Sequence, residues 1–263
     1  MSIETLVFEQ FSEYKGQIDH FITTRNGGVS TPPFASLNLG NMLHDNHEAV
    51  LKNRAIVKDA LGCQRLFIAD QKHTNKVFSI TENNVEEYLK MENPFPESDG
   101  MITNVKNIGL LTLAADCTPI LLFDPIKKVI GAVHSGWKGT VLKILTKAVE
   151  QMVTDFDSEV KNIKISFGPF IKEANYEIGK DVIVQYEDAF PNDIDKILLP
   201  HINPEKAYLN ITEAQKSQCS ALGILKENIE FLPFDTYTDE RFFSARKASP
   251  GQTGRFGGAI VLR

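Results

Sequence analysis

The sequence predicts an α/β fold of the α+β-like kind: a single domain over residues 1–263, with a mixed β-sheet flanked by helices. Three observations carry that expectation. Apolar runs of strand length recur along the chain, several of them adjacent. Amphipathic stretches with helical spacing lie between them. No stretch reads as a linker, a repeat or a low-complexity tract, and the loop 92–97 (ENPFPE) is too short to divide two domains. Strands and helices do not alternate regularly in the first half, and G-x-G-x-x-G is absent, which argues against a doubly wound dinucleotide fold.

The elements follow in order. His20 to Thr24 reads as a strand that runs into the turn-rich RNGGVSTPP. Residues 46–61 read as a helix: Asp45 or Asn46 can cap it, Gly62 can end it, and Val50, Ile56, Val57, Ala60 and Leu61 supply an apolar face. RLFIA and KVFSI are short strands around Gln71 to Asn75. IGLLTLAA and PILLFD are apolar runs broken at Asp116-Cys117-Thr118, and KVIGAVH is a strand ending at His134. After the SGWKG turn, Val141, Ile144, Leu145, Ala148, Val149 and Met152 recur at helical spacing. NIKISFG is a strand. Helices are expected from about Gly179 to Phe190 and from about Ile211 to Leu222, and NIEFL and GAIVL close the chain as strands.

Composition removes several classes of function. The chain has 263 residues and a net charge of −6, with 42% hydrophobic and 24% charged residues, too apolar for disorder. A mildly acidic chain lacks the basic face of a nucleic-acid binder, yet a few local cations suffice for a small anion. Three Cys at wide spacing make no disulfide framework, and there is no C-x-x-C pair. The N-terminus lacks the pattern of a signal peptide, and no apolar run approaches the ~20 residues of a membrane span. A cytoplasmic protein, without membrane or nucleic-acid partners, is the expectation.

The centre of the chain carries the chemistry. Cys117 sits at the break between two apolar runs, and His134 ends the next strand seventeen positions later. Neighbouring strands would bring the two to one end of a sheet. His73 lies in another short inter-strand loop. One thiolate and two imidazoles suit Zn²⁺ and leave a fourth position for water, whose pKa such a metal lowers. Asp116, beside Cys117, is a candidate orienter or proton shuttle. Two other readings stand beside this one. Cys117 is a buried structural residue and the histidines are ordinary loop residues, or Cys117 is a nucleophile with His134 as base and Asp116 or Asn75 as orienter.

Two further stretches suit anions. In FITTRNGGVSTPPFASLNLG, Arg25, the paired glycines, Ser36 and Asn38 offer a cation, backbone N–H groups and polar side chains, and Arg54 on the following helix points to the same side. RFFSARKASPGQTGRFGG concentrates Arg241, Arg246, Lys247 and Arg255. The plain alternatives are a long surface loop and a solvated tail.

The strings TTRNGGVSTPPFASLNLG, ESDGMITN, LAADCTPILLFDP, GAVHSGWKGT, SFGPFIKEANYEIG and RFFSARK resemble the YfiH-type family, in order and over nearly the whole chain. That family was named for polyphenol oxidase (laccase) activity and is described as purine nucleoside phosphorylases. The resemblance implies a single α/β domain with mixed sheets and a zinc site at His73, Cys117 and His134. It implies phosphorolysis of adenosine, inosine and methylthioadenosine, and deamination of adenosine to inosine. Asp116, Cys117 and His134 are then the catalytic candidates. The candidates for nucleoside and phosphate are Arg25, Ser36, Asn38, Arg54 and Arg246, in a monomer or weak homo-oligomer. Copper is the alternative metal, but six His are too few for a four-copper oxidase, and the five Met give no obvious blue-copper axial ligand. Where the family usually has Gly, Arg, Cys-Thr and Arg-Arg, this chain has Thr74, Lys138, Asp235-Thr236 and Arg246-Lys247; the metal set is intact.

Overall fold

Strands buried on both faces read as unbroken apolar runs. The two central strands of the computed structural model obey that rule, since residues 118–124 and 129–135 are buried at every position. The structure describes residues 3–41, 44–91 and 93–263. Glu92, the first residue of the loop expected at 92–97, lies outside them.

The described chain opens with β1 (Thr5–Leu6), α1 (Glu9–Ser12) and β2 (Ile18–Thr23), followed by α2 (His47–Leu61). Next come β3 (Arg65–Ile68), β4 (Val77–Ile80), α3 (Val85–Tyr88), β5 (Gly100–Thr103), β6 (Ile108–Ala114), β7 (Thr118–Asp124) and β8 (Val129–Ser135). Two helices follow, α4 (Trp137–Val141) and α5 (Ile144–Phe156), and then β9 (Lys164–Phe167), β10 (Glu177–Gly179) and α6 (Lys180–Ala189). The last elements are α7 (Ile194–Ile197), β11 (Leu198–Leu199), β12 (Lys206–Leu209), α8 (Ile211–Leu222), β13 (Ile229–Phe231) and β14 (Phe256–Leu262).

The expected mixed α/β architecture is present, with the strands divided among three sheets. A five-stranded sheet has the order β1-β2-β14-β6-β3, a six-stranded sheet the order β13-β9-β7-β8-β5-β4, and a small antiparallel sheet the order β10-β12-β11. Both large sheets are mixed: β3 runs parallel to β6, β4 to β5 and β13 to β9, and the other pairs are antiparallel.

The two-residue period of a strand sets the layers. On β7, Leu121 and Phe123 face the core between the two large sheets, where they meet Leu110 and Ile260 of the five-stranded sheet. Ile120 and Leu122 point the other way, onto Ile144, Leu145, Ala148, Val149 and Met152 of α5. On the outer face of the five-stranded sheet, Leu111, Ala259 and Val261 pack under Val57 and Leu61 of α2. The result is α2, sheet, sheet, α5. The small sheet closes a separate core with α6, α7 and α8.

Most expected elements are present, with edges moved by a residue or two. Asn46 caps α2 by accepting the N–H of Glu48 and Ala49, and Gly62 ends it in the left-handed conformation at φ 66°. The helix expected after SGWKG is two helices, because Lys143 adopts φ 60° between α4 and α5. Its ammonium donates to the Ala189 carbonyl and lies over the Phe190 ring, a tertiary contact that helical spacing does not register. The elements without a sequence signal are short: β1, α1, α3, β5, α7 and the three strands of the small sheet.

Asn53 ties the loop between β2 and α2 to the helix. It is fully buried, its amide donates to Ser30 Oγ and to the carbonyls of Ser36 and Asn38, and its oxygen accepts the Val29 N–H. Asn53→Ala leaves these groups without a partner, and each unsatisfied buried group costs about 1–3 kcal/mol. We expect a loss of about 2 kcal/mol in urea unfolding and faster proteolysis in the loop, with α2 retained by circular dichroism.

Candidate metal centre and its cavity

Four strand ends meet at one end of the six-stranded sheet. In the β7–β8 hairpin Thr118 pairs with Ser135 and Pro119 with His134, so Cys117, one residue ahead of β7, sits beside His134. β5 pairs with β8 through Gly100 and Val133, which puts Asp99 next to His134. β4 joins β5 in parallel, with Val77 opposite Gly100, so the 71–76 loop reaches the same end.

His73, Cys117 and His134 therefore come together, with their ligand atoms all within 4.8 Å of one another. The Cys117 sulfur is 3.8 Å from His73 Nε2. Gly136 makes room for this approach: a Cβ there would stand 2.6 Å from the Cys117 sulfur and 3.4 Å from His73 Cδ2. The donor set fits a tetrahedral metal with one position open to solvent.

The group that orients these ligands is Asp99, a residue that sequence reasoning missed. Its carboxylate accepts His134 Nδ1–H at 2.8 Å, leaving Nε2 for the metal. It also accepts the backbone N–H groups of Lys72, His73 and Thr74 and the Thr74 hydroxyl. The only sequence signal was an acid inside the string ESDGMITN.

The charges are coupled. Burial alone raises the Asp99 carboxyl, but the hydrogen bond from His134 and the Thr74 N–H outweigh it and hold it at about 2. Burial likewise raises the Cys117 thiol, but the His134 charge and hydrogen bonds from both imidazoles bring it down to about 6. Burial lowers His134, and the Cys117 charge and the Asp99 hydrogen bond reverse this and carry it to about 9. Without metal, the pair near neutral pH is thiolate and imidazolium. Binding a cation then releases the His134 proton.

The expected orienter, Asp116, has a different position. Its carboxylate accepts the Thr236 hydroxyl at 2.7 Å and the Arg246 N–H at 2.6 Å. It carries φ 84° and makes no hydrogen bond to His134 or Cys117 among the described residues; it pins two C-terminal loops beside the metal ligands. Thr74, one of the departures from the family pattern, is thus a hydroxyl that meets Asp99, while Thr236, which keeps the family's residue, meets Asp116.

The metal set opens into a cavity of about 1140 Å³. Of the expected anion-binding residues, Arg54 lines it. Ser36 and Asn38 do not, because their polar atoms are used inside their own loop. Ser36 Oγ accepts the Gly27 and Gly28 N–H groups, and fully buried Asn38 spans Gly40, Asp45 and the Arg255 N–H. Arg25 is also outside the lining; its Nε donates to the Ala35 carbonyl and its guanidinium stacks on Phe243. Arg246 reaches the Glu177 carbonyl and the Tyr176 ring instead. Arg255, which the sequence placed only in a general basic stretch, lines the cavity with Arg54. Burial pushes both guanidinium groups down from their ordinary value, and neither meets a carboxylate among the described residues. Two half-buried guanidinium groups without a carboxylate in salt-bridge contact among the described residues make a place for an anion.

Fold and site together define an α/β protein with two packed mixed sheets and a Cys-His-His centre at one sheet end. The family profile described as multi-copper polyphenol oxidoreductase laccase matches residues 19–263, and the chain belongs to that family. It is similar to the purine nucleoside phosphorylase YlmD of Bacillus subtilis, at 33% identity over 92% of this chain and 87% of that one. A purine nucleoside phosphorylase of Deinococcus radiodurans is 34% identical, over 93% and 89%. Among solved structures, the hypothetical protein YfiH of Bacillus licheniformis superposes with a TM-score of 0.89 at 29% identity, covering 100% of this chain and 97% of that one. YlmD from Geobacillus stearothermophilus gives 0.84 at 27% identity, over 94% and 92%.

Two outcomes follow from the coupled charges. Asp99→Asn removes the charge and sets an amide N–H against backbone donors. Metal affinity should fall about 10–100-fold by chelator competition; an unchanged affinity would remove Asp99 from the site. In metal-stripped protein, the thiolate absorbance of Cys117 should titrate with a midpoint near pH 6, well below the ordinary 9.0, with Cys117→Ala as blank.

Proposed function

We propose that this chain is a zinc-dependent purine nucleoside phosphorylase. On this reading it cleaves adenosine, inosine and methylthioadenosine with phosphate to the free base and a (methylthio)ribose 1-phosphate, and it also deaminates adenosine to inosine. One observation carries the reading: a Cys-His-His metal set and two arginines without carboxylate partners, Arg54 and Arg255, share one cavity. The names of the Bacillus and Deinococcus relatives support it.

A thiolate with two imidazoles suits zinc better than a hard cation. For copper as a blue-type centre, no Met to serve as axial ligand is among the described residues lining the cavity. A zinc ion held by His73, Cys117 and His134 would supply Lewis acidity to the reacting oxygen.

The chain's own residues do the remaining work. Asp99 holds His134 with Nε2 aimed at the centre and fixes the His73 backbone, so the ligands need no rearrangement when substrate arrives. Arg54 and Arg255 receive the phosphate dianion and hold it for attack on C1′ as the glycosidic bond breaks. The departing base takes the bonding electron pair and a proton. In deamination, water replaces the C6 amino group and ammonia leaves. Asp116 acts by position, fixing Thr236 and the Arg246 backbone next to Cys117.

Product analysis tests the reading. Metal-loaded protein with adenosine should yield adenine and ribose 1-phosphate only when phosphate is present, and inosine without it. Phenol oxidation with added copper and no nucleoside turnover would overturn it. Arg54→Ala should raise KM for phosphate at least about tenfold, the scale of one lost charge-assisted contact. Deamination, which needs no phosphate, should keep its rate.

A further inference from the structure

The cavity is larger and more basic than a nucleoside and one phosphate require. Its volume of about 1140 Å³ exceeds the roughly 300–1,000 Å³ usual for small-molecule sites. Among the described residues its lining holds five Lys or Arg and one carboxylate, Asp70, in a chain of net charge −6. Asp70 pairs with Lys72 at 3.1 Å. Arg54 and Arg255 flank the Leu39–Gly40 backbone near the metal ligands and account for one anion. Lys58, which is 3.7 Å from the exposed carboxylate of Asp59 on the same helix, and Arg65 are left over.

Their placement makes a row. Lys58 stands one helical turn beyond Arg54 on α2, about 5–6 Å further along the same face. Arg65 opens β3, the edge strand of the five-stranded sheet, which forms another wall of the cavity. Arg65 is level with Ile108 of β6, and Ala114, at the metal end of that strand, is six residues on, about 20 Å at the usual rise. Arg65 has no carboxylate within salt-bridge distance among the described residues, and its Nε is buried without a hydrogen-bond partner. Its guanidinium carbon lies 5.8 Å from the Phe67 ring centroid. A half-covered cation of this kind, in a groove continuous with the reaction centre, is built for an anion at a fixed distance from it.

We propose that Lys58 and Arg65 form a second anion subsite, and that the chain binds phosphate-bearing nucleosides, nucleoside diphosphates being the simplest of sufficient reach. This rests on the reading that the nucleoside sits at the metal end. The phosphates then run along α2 and the β3 edge, and the free nucleoside fills only part of the groove.

Calorimetric titration of the metal-loaded protein with adenosine, ADP and inorganic tripolyphosphate tests the subsite. ADP should bind at least about tenfold more tightly than adenosine, a preference that shrinks with added salt. Lys58→Gln with Arg65→Gln should cancel most of that preference and weaken tripolyphosphate, while adenosine affinity changes less than about twofold. The conservative pair Lys58→Arg and Arg65→Lys, matched to wild type in Tm, should restore ADP binding. Equal affinity for ADP and adenosine, or an ADP affinity indifferent to the double substitution, overturns the subsite and leaves the nucleoside reading standing. Tripolyphosphate binding that needs Lys58 and Arg65, with no adenosine binding at all, keeps the subsite and refutes the nucleoside reading.

Discussion

The Asp99 carboxylate accepts five hydrogen bonds, three from consecutive backbone N–H groups of the His73 loop, one from the Thr74 hydroxyl and one from His134. A buried charge is tolerated only when its lone pairs are satisfied, and here satisfying them sets the geometry of two metal ligands. The loop cannot shift without exposing the carboxylate to an apolar interior. His134 cannot rotate without losing its hydrogen bond to Asp99. The centre is thus rigid before any metal enters, which is what a site on sheet ends can offer and a site on free loops cannot.

The rest of the site is arranged in the same way, by polar residues that hold backbone. Asn53, Asn38 and Ser36 knot the loop that carries Leu39 and Gly40 against Arg54 and Arg255. Asp116 knots two C-terminal loops. Three of these residues resemble ligand-binding groups in the sequence because Asn, Ser and Asp serve both ends: the atoms that bind a sugar or a phosphate also satisfy buried N–H groups. Burial decides between the two uses, and burial is a tertiary property.

Charge follows the same logic. A net charge of −6 averages over a surface dotted with compensated pairs, while the described lining of the cavity sets five cations against one carboxylate. Focusing in a low-dielectric cleft makes those few cations count for more than the global balance.

The sequence by itself determined the fold class, most of the longer elements and the three residues, His73, Cys117 and His134, that could hold a metal ion. Periodicity is local, and a Cys and a His at the facing ends of two consecutive strands are brought together by any hairpin of matching length. It left unresolved that the strands divide into two packed sheets and a third small one, because both faces of β7 and β8 are apolar and the pattern does not say what covers each. The place of Asp99 beside His134, and of Arg255, Lys58 and Arg65 in one cavity, is decided by the tertiary structure alone. Asp99 reaches His134 only because β5 joins β8 across the sheet, and Arg255, a single residue of the C-terminal segment, meets Arg54 of α2 only through the loop between them. Contacts between distant segments depend on register and burial, and neither is written in the spacing of any one segment.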